Sequence, residues 1–182
     1  MEVIPFPARG SSAPLVETPY ARAFLLEPGA PAPEGTDALV TLADARRFAY
    51  VPIPSSQASD AALLTVDPFV NGSRFMPLHQ SSRALAAQIS IAAARRVDTG
   101  PESERLFLFL RGSGLLFDQN GDTMRIAPEH VAVAPAGEPA RLWAQGPEDM
   151  LAIVFQPNAE RAPRRTLSSE IAKRRAPDRP SP

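Results

Sequence analysis

Apolar residues in this chain recur in short alternating runs rather than at the three- and four-residue spacing of a helix. Residues 85–93 (LAAQISIAA) put Leu85, Ala87, Ile89 and Ile91 on one face and Gln88 and Ser90 on the other, the two-residue period of a strand. Residues 105–110 (RLFLFL) are apolar on both faces, as expected of a strand held between two packed layers. Residues 115–117 and 123–126 flank Asp118-Gln119-Asn120-Gly121, a hairpin signal. Runs at 131–134, 140–144 and 150–155 follow, divided by turns at Pro135-Ala136-Gly137 and Gly146-Pro147. Strands this short and this closely spaced predict an all-β sandwich or barrel.

The pattern is looser upstream. Within the first 33 residues only 20–26 (YARAFLL) looks able to pack, as a strand laid on the main domain. Residues 38–42 and 48–53 read as strands with a turn of helix at 43–47 between them, and 61–66 as a further strand before the Asn71-Gly72 turn. The organisation expected is an extended N-terminal arm (1–33), one β domain (34–157) and a C-terminal tail (158–182). In the tail, residues 166–175 (TLSSEIAKRR) can form two or three helical turns, with a hydroxyl at the start and cations at the end.

Composition supports this picture. A chain of 182 residues holds one domain with a sizeable core, and its 21 prolines disfavour a mainly helical fold. Zero cysteines exclude disulfides and cysteine-held metals. No run is long and apolar enough to span a bilayer, and the N-terminus lacks the pattern of a secretory signal, so a cytoplasmic location is expected. The formal net charge of −1 hides an asymmetry. Seven basic residues from Arg161 onward stand against Glu170 and Asp178, a net +5 that leaves −6 on the first 160 residues. An acidic body with a basic tail is not the profile of a nucleic-acid-binding domain. The arginine pairs in strands place neighbours on opposite faces, and base-stacking aromatics are sparse. A nucleic-acid partner is therefore set aside.

Residues 105–117 (RLFLFLRGSGLLF) resemble the strand–glycine–strand that ends the first motif of the cupin superfamily, and residues 121–146 resemble its second motif around Pro135-Ala136-Gly137. The likeness covers roughly residues 87–157 and implies a jelly-roll barrel, commonly dimeric, with a metal inside. In that family the first motif carries two histidines and a glutamate, and the second a histidine and an asparagine. The glutamate position here is Arg105. The paired histidines should lie among Asp98, Thr99, Gly100 and Pro101, and the second-motif positions are Ala140 and Ala144. These residues offer no set of imidazole and carboxylate donors. The resemblance therefore points to a degenerate member with no metal centre and no cofactor.

Arg105 is the sharpest candidate. Pointing inward, its guanidinium needs an anionic partner, which a carboxylate or phosphate ligand can supply; otherwise it pairs with Glu102 or Glu104 at the rim or faces solvent. The ligand-facing set expected with it is Gln88, Ser90, Ala140, Leu142 and Trp143. His79, in a loop before the first motif, is the candidate general base, and His130 is expected on a surface loop. Three functions follow. The first is a metal-free barrel that binds a small anionic organic molecule or regulates. The second is a metal-independent isomerase or lyase using His79 and Arg105. The third is an interaction module whose interior is plugged by Phe107 and Phe109, or by Leu106, Leu108 and Leu110, and whose basic tail engages an acidic partner.

Overall fold

The structure is a computed structural model that describes residues 1–53, 73–99 and 103–157. Among these, fourteen strands form three antiparallel sheets. The six-stranded sheet runs β1 (Glu2–Pro5), β12 (His130–Ala134), β9 (Arg105–Arg111), β14 (Met150–Pro157), β7 (Ala84–Ile91), β6 (Ser73–Gln80). A four-stranded sheet runs β11 (Thr123–Ile126), β10 (Ser113–Phe117), β13 (Ala140–Gln145), β8 (Arg96–Thr99). The second four-stranded sheet runs β2 (Val16–Glu17), β3 (Ala21–Leu26), β5 (Arg47–Pro52), β4 (Ala38–Thr41). No described helix is long and apolar enough to cross a membrane.

The six-stranded sheet is the middle layer, and its alternation decides what lies on either side. Phe107 and Phe109 of β9, Ala87, Ile89 and Ile91 of β7, and Ala152 and Val154 of β14 face Val97, Leu116, Ile126, Ala140, Leu142 and Ala144 of the β11–β10–β13–β8 sheet. The alternate residues Leu106, Leu108, Ile153, Phe155, Ala84 and Ala86 face Val16, Ala21, Ala23, Phe48 and Tyr50 of the β2–β3–β5–β4 sheet. The run RLFLFL is apolar on both faces because both faces are covered. Aromatic rings fill much of the second space, with Phe155 5.0 Å from Tyr50 and 5.5 Å from Phe48 between ring centroids.

Glycine is required where strands come closest. A Cβ on Gly114 would stand 2.2 Å from the Trp143 carbonyl oxygen, a clash with backbone that no rotamer relieves. Gly112 turns β9 into β10 at φ 73°, and a Cβ there would lie 2.7 Å from the Asp149 carbonyl oxygen.

Several expectations need correction. Residues 43–47 form no helical turn; they make the tight β4–β5 hairpin, in which Ala45 takes φ 66° and its N–H bonds to the Leu42 carbonyl. The first 33 residues hold more than one packing segment, because β1 hydrogen-bonds along β12 from Glu2 to Pro5 and β2 pairs with β3. Two adjacent β-branched residues, Val3 and Ile4, suffice for β1, since their side chains pack on opposite clusters of the middle layer. His79 belongs to β6, not to a loop. His130 opens β12; Glu129, at φ 62°, makes the turn before it, and the His130 Nδ1 accepts a bond from the Ala127 N–H at 2.9 Å. The strand expected at 61–66 and the helix expected at 166–175 lie outside the described residues.

Candidate functional site

Arg105 enters the space between the six-stranded sheet and the β11–β10–β13–β8 sheet, on the same side of β9 as Phe107 and Phe109. It is the largest of the fully buried side chains, 1% exposed. Its Nη1 donates to Thr99 Oγ1 at 3.1 Å, and Thr99 Oγ1 in turn donates to the Ala140 carbonyl at 3.0 Å. Its Nη2 donates to the carbonyl of Glu138, in the turn between β12 and β13. The planar fork thus spans β8, β9 and that turn, a geometry open to a guanidinium and not to an ammonium. Beside it the Met1 ammonium lies 3.4 Å from a Glu138 carboxylate oxygen. Gln156 continues β14 past the Phe155–Leu106 pair, and its buried Oε1 has no hydrogen-bond partner among the described residues.

The structure divides the expected ligand set among three faces. Arg105, Ala140 and Leu142 share the interior. Gln88 and Ser90 stand on the opposite face of the six-stranded sheet, as the alternation of 85–91 required. Trp143 points out of the other sheet, stacked on Phe117 at 6.3 Å, with the Arg96 guanidinium 4.7 Å over its ring. His79 pairs across from Ala86, so it faces the β2–β3–β5–β4 layer, with Nε2 3.1 Å from Asp37 Oδ2. The middle sheet separates it from Arg105, and the acid–base pair needed for metal-independent catalysis is not assembled.

The donor set does not fit a metal. Arg105, Thr99, Ala140 and Ala144, which the sequence resemblance sets at ligand positions, lie inside, and Gly100 and Pro101 lie outside the described residues. Among the described residues no three His, Cys, Asp or Glu groups come together to hold an ion.

Comparison with known proteins gives a fold and nothing finer. No family model matches the chain, and no curated protein does. Similar solved structures include a cupin superfamily protein from Desulfitobacterium hafniense, 20% identical, covering 66% of this chain and 98% of that one at a TM-score of 0.43. The polyketide cyclase RemF from Streptomyces resistomycificus is 18% identical, covering 47% of this chain and 65% of that one at 0.44. A chain in the structure of Rhodobacter sphaeroides SigE in complex with the anti-sigma ChrR is 21% identical, covering 48% of this chain and 45% of that one at 0.42. The architecture resembles cupin folds at low identity. The chain spans under two thirds of RemF and under half of the ChrR structure, and at these scores the likenesses carry no functional argument.

One polar cluster had no signal in the sequence. Glu104 alternates with Arg105 and so faces the β2–β3–β5–β4 layer, where its Oε1 accepts from Thr18 Oγ1 at 2.7 Å. The two partners are 86 positions apart, beyond the reach of any local pattern. Burial holds the Glu104 carboxyl above its ordinary range, and the Thr18 bond opposes that only in part. Burial, with the charges of Glu104 and Asp37, also pushes the Tyr50 phenol upward, and the buried Tyr50 hydroxyl has no hydrogen-bond partner among the described residues. A carboxyl whose folded pKa is raised stabilises the fold below its ordinary range, and that contribution is lost as pH rises through the folded value. Glu104→Gln should therefore raise the melting temperature at pH 8 and leave it nearly unchanged at pH 4. Thermal unfolding across that range checks this; an equal shift at both ends would contradict it.

Proposed function

We propose that this chain is a metal-free jelly roll of cupin type that acts as a binding or regulatory module through its outer surface. The observation that carries this reading is the complete burial of Phe107 and Phe109 between the two sheets. Phe107 and Phe109, ring centroids 6.3 Å apart, lie at 0% and 1% exposure among buried residues from both walls. Small-molecule sites are typically concave and hundreds of cubic ångströms in volume, and these two rings stand where such a space would open. Arg105 then acts as an internal clamp. The cupin resemblance makes a homodimer the expected assembly.

The test is elemental analysis and native mass spectrometry of the purified full chain. The expected result is a mass equal to the polypeptide, in dimers, with no stoichiometric transition metal. One metal ion per chain, or a stoichiometric small molecule, overturns the reading.

A second reading rests on Gln156. Its oxygen, without a hydrogen-bond partner among the described residues, follows the Phe155–Leu106 pair of the β14–β9 register and suits a small hydroxy acid, with the carboxylate on Arg105 and a hydroxyl donating to Gln156. Under that reading an acidic compound is released on denaturation, and Arg105→Ala weakens its binding by at least about tenfold, the factor that 1.4 kcal/mol represents.

A further inference from the structure

The β11–β10–β13–β8 sheet has an outer face that the interior leaves unused. Strand register sets Arg96 opposite Trp143, Trp143 opposite Leu115, and Leu115 opposite Arg125. One row thus crosses all four strands, with arginine at each end and apolar side chains in the middle. Three strand spacings put the two arginines about 14 Å apart. The next row reads Asp98, Arg141, Phe117, Thr123. The Phe117 and Trp143 rings lie 27° from parallel, and the Arg96 guanidinium caps both, 4.7 Å from the indole and 6.0 Å from the phenyl centroid. Leu115, Phe117 and Trp143 are partly exposed and belong to none of the hydrophobic clusters of the described residues. Arg141 is held by Asp98 at 2.6 Å, whereas Arg96 and Arg125 have no ion-pair partner among the described residues.

We propose that this face binds single-stranded nucleic acid; the inference rests on the surface-binding reading above and names the partner. Every base has a π-face that can stack on an aromatic platform, and such stacking tolerates any sequence. Arg96, its guanidinium carbon 4.7 Å over the indole, has N–H groups to offer a phosphate, and Arg125 offers others across the row. A second copy of this face is disfavoured, because three arginines against one aspartate would meet their like. An acidic protein segment satisfies the arginines but gives the stacked rings no role. A flat sheet places no helix or ribbon in a duplex groove. The arginine pairs that sequence order scatters over opposite faces contribute one member, Arg96, and the sheet brings Arg125 and Arg141 to it.

Trp143 is the only tryptophan, so its fluorescence reads this face alone. The full chain is titrated with oligo-dT and oligo-U of about twelve nucleotides, within the usual site sizes. Quenching is expected, with a log–log salt slope of about −1.4 for two phosphate contacts on a single strand. Arg96→Ala with Arg125→Ala should weaken binding at least tenfold with the far-UV spectrum unchanged. Arg174→Ala with Arg175→Ala in the tail should leave binding as it was. Absence of quenching overturns the proposal. So does binding that fails only in the tail variant, or quenching by polyglutamate and not by either oligonucleotide, which assigns the face to an acidic protein. These outcomes leave the surface-binding reading standing; that reading falls only to a metal or small molecule in the mass measurement.

Discussion

Phe107→Ala is expected to lower the unfolding free energy by about 3–5 kcal/mol, the range for truncating a large aromatic in a packed core. The ring is fully buried, stacks on Phe109, and lies among side chains from both walls. Those walls are strands locked by register, with Val154 across from Phe107 on one side and Ala132 on the other, so they cannot collapse to fill the space. Equilibrium denaturation measures the loss as a lower midpoint at nearly constant slope. The same variant probes the interior, because a dry cavity lined by apolar atoms takes up small apolar solutes. A loss below about 1 kcal/mol, the scale of an ordinary surface or tolerant site, would mean that the interior is not close-packed around Phe107.

Arg105→Ala comes next. It leaves the Glu138 carbonyl and the Thr99 hydroxyl without their buried donor and opens the space of a long side chain. Unsatisfied buried partners and a cavity together cost about 3 kcal/mol or more. Arg105→Met is the informative companion. Because a buried charge is itself expensive, a well-packed apolar side chain of similar length can recover much of the loss. The expected order of stability is therefore wild type, then methionine, then alanine, read by denaturant midpoints. If alanine matches the wild type, Arg105 is no clamp.

The sequence made the strands of the second half legible because their alternation is local. Residues 105–110 announced a two-sided strand without reference to anything distant, and the structure covers both faces of β9. The Gly112 turn and the 118–121 hairpin were readable for the same reason: each is set by its own few residues. Long-range partners were not. Nothing in Thr18 marks it as the neighbour of Glu104, and nothing in Arg96 marks Trp143, 47 positions on, as its stacking platform. The inward direction of Arg105 was one of the directions the sequence left open, and the structure takes it. Its partners could not follow, because one is a backbone carbonyl in a turn. Trp143 was grouped with Ala140 and Leu142, although strand parity alone sets it on the other side of the sheet. Applying that parity to β8, β10, β11 and β13 together would have found the outer row.

The six-stranded sheet supplies one wall to each of two apolar spaces. Neither flanking layer can detach without baring half of the contacts that hold its strands, so both spaces should melt in a single all-or-none transition. A destabilising change on one side is then felt on the far side at full strength, and a partner bound outside could tighten regions it never touches.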